Sequence, residues 1–261
     1  MTSESKGIAI VTGAGQGIGK AIALRLADDG FDIVVNDIAA QSEALAEVVD
    51  EIKAKGRVSS AHVADVSSEE EVRGMVEQVV ATYGRLNVMV ANAGICGYIP
   101  MSEQYATKFD PVIILTAEKW DRVMGVNARG TFLCYKYAGA QMIKQGDGGR
   151  IIGFPFNPAY SASKFAIRGL TQAAAIEYGP HKITVNAYAP GAIDTAMLPQ
   201  VATAETPRDA LMDEMKKMSP LGTVGVPADI ANFVSFIASK DSQFITGKSK
   251  TISVNGGGFF D

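Results

Sequence analysis

The chain has 261 residues, 47% hydrophobic and 20% charged, which is material for one large α/β domain or two small ones. Its net charge of -4 argues against a nucleic-acid surface, which needs a basic patch. No apolar run approaches the roughly 18 residues that span a bilayer, and the polar start MTSESK leads straight into an apolar strand rather than a secretion signal, so a cytoplasmic protein is expected.

Residues 7–12 (GIAIVT) are a short β-branched run and read as a strand, followed by a helix over 17–29. DIVVN (32–36) is a second strand, and the helix after it places Leu45, Val48, Val49 and Ile52 on one face. A weaker strand covers 57–63. The next helix has the clearest period, with Val72, Met75, Val76, Val79, Val80 and Tyr83 at steps of three and four. LNVMVA (86–91) is a buried strand, 116–145 contains a long helix, and GRIIG (149–153) is a short strand. Residues 158–178 are helical, 182–188 a strand, 227–239 a helix and 250–254 the last strand. Two stretches break this rhythm, 97–115 and 190–220, and long connections of that kind are functional or disordered.

Alternation of apolar strands with amphipathic helices predicts an α/β fold. The sheet is doubly wound, mostly parallel and seven-stranded, with helices on both faces. One domain over 1–261 is expected, with a cofactor half at about 1–150 and an active-site and substrate half at about 151–261. The two cysteines, Cys96 and Cys134, and the two histidines, His62 and His181, form no metal-spaced cluster, so no metal is expected.

VTGAGQGIGKAIAL joins the first strand to the first helix. Gly13, Gly15, Gly17 and Gly19, with Gln16 and Ile18 between them, allow a tight turn that brings backbone N–H groups and a helix N-terminus to a pyrophosphate. A glycine-rich turn with no ligand is the plainer alternative. Asp37 ends the second strand, 18 residues past Gly19, where a carboxylate can accept both ribose hydroxyls of adenosine. No Lys or Arg stands beside it, which favours NAD and leaves NADP possible. The alternative for Asp37 is a helix cap.

Three further signals accompany the glycine loop: NAG (92–94), YSASK (160–164) and PGAIDT (190–195). Together they resemble the short-chain dehydrogenase/reductase family, and the text from Ala159 to Met197 is similar to its acetoin/diacetyl reductase (butanediol dehydrogenase) group. The resemblance spans nearly the whole chain and implies a Rossmann fold and an enzyme that moves hydride between nicotinamide and a secondary alcohol or ketone. By that resemblance Tyr160 is the general acid/base, and Lys164 binds the nicotinamide ribose and lowers the tyrosine pKa. Asn127 matches the asparagine holding a proton-relay water. Asp65 and Val66 match the pair flanking adenine, Asn92 lies under the cofactor, and Ile193 and Thr195 contact the carboxamide. Ser161 and Ser163 point elsewhere around the helix and read as packing residues. The family also implies a homodimer or homotetramer built through the long helices and the last strand.

Two departures stand out. Tyr160 follows Arg150 by only ten residues, about nine fewer than the family's usual spacing, and the missing text includes the active-site serine. Asn92 to Asn127 spans 35, about ten more than usual. Two readings stay open: an oxidoreductase with impaired turnover, acting on a small ketone or a bulkier secondary-metabolite alcohol, or a cofactor-binding scaffold with little turnover.

Overall fold

The computed structural model describes residues 4–95, 116–153, 158–195, 207–247 and 252–256, with backbone alone for 158–162, 164 and 252. Seven parallel strands form the sheet in the order β3-β2-β1-β4-β5-β6-β7. They are β1 (Ile8–Thr12), β2 (Asp32–Asp37), β3 (Ser59–Val63), β4 (Val88–Ala91), β5 (Gly149–Gly153), β6 (Ile183–Pro190) and β7 (Ile252–Val254). Helices α1 (Gly17–Asp28), α2 (Ser42–Ala54) and α8 (Pro227–Ala238) cover one face. The other is covered by α3 (Glu69–Tyr83), α5 (Gly130–Gln145) and α6 (Pro158–Tyr178).

Strand side chains alternate between these layers. Val11, Val35, Val90 and Ile152 pack with Ile22, Leu26 and Val234 on the first face. Ile10, Val34, Met89 and Ile151 pack with Met75, Leu133 and Met142 on the second. The expected doubly wound sheet is therefore present, and all its pairings are parallel.

Two local expectations change. The long helix over 116–145 is interrupted: α4 (Ala117–Val123) passes into a π-helical turn, Met124–Arg129, before α5 begins. Such a bulge inserts an extra residue without ending the helix, so periodicity alone does not reveal it. The 190–220 connection also holds a helix, α7 (Arg208–Met218). Among its residues none is fully buried, and its Lys, Asp and Glu content masks a weak apolar face at Leu211, Met212 and Met215.

Strand order reverses between β1 and β4, where successive connections leave to opposite sides. The crevice at the carboxyl ends of these two strands is where open α/β sheets bind ligands. The glycine loop follows β1 there, and the segment beginning at Asn92 follows β4.

Candidate active site

Thr12 organises the floor of the crevice. Its buried hydroxyl donates to the Val90 carbonyl at 3.3 Å and accepts from the N–H groups of Asn92 and Ala93, each at 3.0 Å. Asn92 reaches back, its Nδ2 donating to the Thr12 carbonyl at 2.9 Å. Its Oδ1 accepts from the Tyr188 hydroxyl at 3.2 Å. Burial pushes the Tyr188 pKa upward, with Tyr135 adding to it, so this phenol stays a protonated donor. Tyr188 escapes a sequence reading because it ends an apolar strand and looks like core.

The glycines leave no room for side chains. A Cβ on Gly19 would lie 2.1 Å from the Gly13 carbonyl oxygen and 2.7 Å from Asn92 Nδ2. On Gly13, whose φ is +65°, it would lie 2.9 Å from Ala93 Cα. Gly17, with φ +56°, opens α1 and sits within 3.7 Å of Thr195 by the same measure. Gln16 is the N-cap residue and makes no side-chain cap bond, and Ile18 packs partly buried behind it. This closely packed loop at a helix N-terminus fits a pyrophosphate.

Asp37 stands at the end of β2. Its Oδ2 accepts the Gly15 N–H at 3.0 Å and its Oδ1 the Ile38 N–H at 2.9 Å. It caps no helix, since α2 begins at Ser42 behind Gln41. Ile38 and Val63, both exposed apolar residues, flank the same edge, with Val63 paired to Asp37 in register. Asp65 Oδ1 accepts from the Ser67 N–H and hydroxyl, and its own N–H donates to Glu71 Oε2 at 2.8 Å. Val66 is buried against Gly130. Arg129 donates to the Ser67 carbonyl and so ties this turn to the π-helical segment. Ser67, Glu71 and Arg129 belong to no motif; only the fold brings them together.

The π-helical turn presents Asn127, which is fully buried. Both ends of its carboxamide are taken by one residue: Nδ2 donates to the Ile95 carbonyl and Oδ1 accepts the Ile95 N–H, each at 2.9 Å. This side chain thereby clasps the segment after β4. The turn packs against α6.

Tyr160 and Lys164 lie one turn apart on α6, in its first two turns; their side chains are outside the described residues. Ser163 is fully buried, as a packing residue should be. Only four positions separate the end of β5 at Gly153 from the start of α6 at Pro158. Phe154, Phe156 and Asn157, and the whole segment 96–115 with Cys96 and Tyr98, are outside the described residues. Ile193 is buried and bridges to Gly225, and the Asp194 N–H donates to the Gly225 carbonyl at 2.9 Å. Asp194 also pairs with Arg208 at 2.6 Å, which ties the start of α7 to the Thr195 side of the crevice.

Among the described residues no group of three or more His, Cys, Asp and Glu is gathered as for a metal, and no helix is long and apolar enough to cross a membrane. Cys134 is buried, and burial raises its thiol to about 12.

Residues 13–258 match the family model described as Enoyl-(Acyl carrier protein) reductase (adh_short_C2). A short-chain dehydrogenase/reductase of Armillaria gallica is 50% identical, covering 100% of this chain and 99% of that protein. That match runs over 271 residues, ten more than this chain possesses, so the relative carries positions absent here. The 3-oxoacyl-[acyl-carrier-protein] reductase FabG of Staphylococcus aureus is 40% identical over 95% of this chain and 96% of its own. Among solved structures, a short-chain type dehydrogenase/reductase from Mycobacterium marinum superposes with a TM-score of 0.85 at 31% identity, covering 97% of this chain and 96% of that one. The acetoin dehydrogenase YohF of Salmonella typhimurium does so with 0.79 at 32%, covering 96% and 94%.

Proposed function

The chain belongs to the short-chain dehydrogenase/reductase family, and from that premise we propose that it is an NAD-dependent oxidoreductase of a secondary alcohol or ketone with reduced turnover. Bound nicotinamide accepts or gives the hydride. Tyr160 exchanges the proton with the substrate oxygen, and the Lys164 ammonium lowers the phenol's pKa so that it titrates nearer neutrality. Asn127 keeps the π-helical turn and the segment after β4 locked together beneath this pair.

The observation that carries the nucleotide reading is the clasp of Thr12, Asn92 and the glycine loop at the switch point, with Asp37 beside it. A 2′-phosphate at Asp37 meets a negative charge, so NAD is preferred over NADP. The four-position β5–α6 connection supports reduced turnover. Loss of one hydrogen-bond donor to the developing oxyanion costs about 10²–10³ in rate.

The substrate reading starts from acetoin, diacetyl or a similar small ketone. FabG's 3-oxoacyl thioester and a bulkier fungal secondary metabolite are the competing carbonyls. Exposed apolar residues on α5 and α6, namely Phe132, Phe165 and Ile176, support assembly as a homodimer or homotetramer.

NADH and NADPH fluorescence titrations, run beside turnover of diacetyl, a 3-oxoacyl thioester and an aryl ketone, test this reading. NADH should bind at least about tenfold more tightly, a gap of roughly 1.4 kcal/mol, and Asp37→Ala should narrow it. NADH binding with no turnover of any carbonyl would leave a nucleotide-binding scaffold. Absence of nucleotide binding would remove the oxidoreductase reading altogether.

A further inference from the structure

We infer that Arg129, on the π-helical turn, is a positioning residue for nucleotide binding: it anchors the far end of turn 65–68 and so fixes where the adenine wall stands. This rests on the nucleotide reading above, in which Asp65 and Val66 flank the adenine. The turn is closed by local bonds. Asp65 Oδ1 accepts the Ser67 N–H at 2.8 Å and the Ser67 hydroxyl at 2.7 Å. The Ser68 N–H donates to the Asp65 carbonyl at 3.0 Å, and the Asp65 N–H to Glu71 Oε2 at 2.8 Å. Each of these joins residues no more than six positions apart, so together they set the shape of the turn and not its place. Its place is set from two sides. Asn36, on β2, holds the entry, with Nδ2 donating to the His62 and Ala64 carbonyls at 2.9 Å and 3.1 Å. Arg129 holds the exit by donating to the Ser67 carbonyl, 62 positions away. Asp65 and Val66 lie between these two anchors.

The guanidinium is itself aimed. Arg129 lies 3.8 Å from Glu69 Oε2, and both side chains are about half exposed, so the pair adds little stability. Glu69 is held in turn, its Oε1 accepting from Lys136 Nζ and the Tyr137 hydroxyl, each at 2.7 Å. Those bonds and the Lys136 charge keep the Glu69 carboxyl below the usual carboxylate range, so it stays ionised in front of Arg129. A planar guanidinium can face the Ser67 carbonyl and this carboxylate together, whereas an ammonium is a single point charge. Beside it Gly130 lets the turn settle directly on the helix, since a Cβ there would lie 2.8 Å from Val66 Cγ2. Without Arg129 the entry stays fixed by Asn36 while the exit is released, and Asp65 and Val66 lose their set distance from the rest of the crevice.

The test is titration of the full chain with NADH and with AMP, which carries the adenosine end alone, beside thermal unfolding. Arg129→Met keeps the aliphatic stem and removes every donor, and Arg129→Lys restores the charge. Arg85→Met is the control, because it breaks a similarly exposed ion pair, with Asp147, at the opposite end of the sheet. Arg129→Met should weaken AMP and NADH at least about fivefold each, the two losses agreeing within about twofold, and Arg129→Lys should recover at least about twofold of both. Arg85→Met should leave both affinities within about twofold of wild type. A smaller loss in Arg129→Met, no recovery in Arg129→Lys, or an equal loss in Arg85→Met overturns the inference. A loss of NADH much larger than that of AMP also overturns it, since Arg129 would then act through Asn127 and not through the adenine wall. Failure of Arg129→Met to fold would make Arg129 a folding residue and overturn it too. All these outcomes leave wild-type NADH binding intact, whereas a wild type that binds neither NADH nor AMP overturns the nucleotide reading and this inference with it.

Discussion

Asn127 and Ile95 form a closed pair: the buried carboxamide gives one hydrogen bond to the Ile95 carbonyl and takes one from its N–H, both at 2.9 Å. Asn127→Ala leaves two backbone groups unmatched, at a cost of about 1–3 kcal/mol each. Asn127→Asp should not rescue it, because a carboxylate oxygen then faces the Ile95 carbonyl. Urea unfolding of the three proteins checks this. Wild-type stability in Asn127→Asp would show that the pair does not hold the segment.

Gly19→Ala should weaken nucleotide binding by an order of magnitude or more. The added Cβ would sit 2.1 Å from the Gly13 carbonyl oxygen and 2.7 Å from Asn92 Nδ2, so the glycine loop must open. A loss of at least about tenfold in NADH affinity is expected, or roughly 1.4 kcal/mol. Gly74→Ala, in a helix where a Cβ meets nothing within 4 Å, is the control and should bind normally.

Acid sensitivity has a named source at the other end of the sheet. Burial alone would raise the Asp32 carboxyl, but hydrogen bonds from Ser5, the Val58 N–H and Arg57, with the Arg57 charge, hold it below its ordinary 3.8. Arg57 donates to Asp32 Oδ1 at 2.8 Å and 3.1 Å, and both side chains are about nine-tenths covered. A lowered folded value means the stabilisation is fully present above 3.8 and fades as pH falls through the lower folded value. Asp32→Asn should cost about 3 kcal/mol at pH 6, and the gap from wild type should close below about pH 4. Urea midpoints taken from pH 6 to pH 3 check this, and a gap independent of pH would rule it out.

Much of this was legible in the sequence because the signals were local. Apolar runs gave the seven strands, and glycine spacing gave the tight turn from β1 into α1 beside Asp37. What escaped was side chains meeting across the fold. Tyr188 reads as core but donates to Asn92, and Arg129 reads as surface charge but holds the turn after Asp65. Asn127 was legible as a special residue but not its partner, since Ile95 lies 32 positions away. Helix α7 was missed because charge dominates its composition and among its residues none is fully buried.

Assembly should depend on α6. Phe165 and Ile176 are 69% and 81% exposed and lie three turns apart on one face of the helix. Their burial between copies would remove apolar surface that a monomer leaves in water. Light scattering should give a dimer or tetramer for wild type and a smaller species for the Phe165→Glu, Ile176→Glu double variant. Monomeric wild type at micromolar concentration would contradict this.

With β5 running into α6 within four positions, the nucleotide site should be intact and the proton-transfer site incomplete. The most direct test compares wild type with a variant carrying a serine-bearing segment of about nine residues between Gly153 and Phe154. Both should bind NADH with affinities within about threefold, and the variant should turn over its ketone at least about tenfold faster, recovering part of the 10²–10³ that one donor contributes. Wild-type turnover already at about 10 s⁻¹ or above, the ordinary range for enzymes, with no gain from the insertion, would contradict the account.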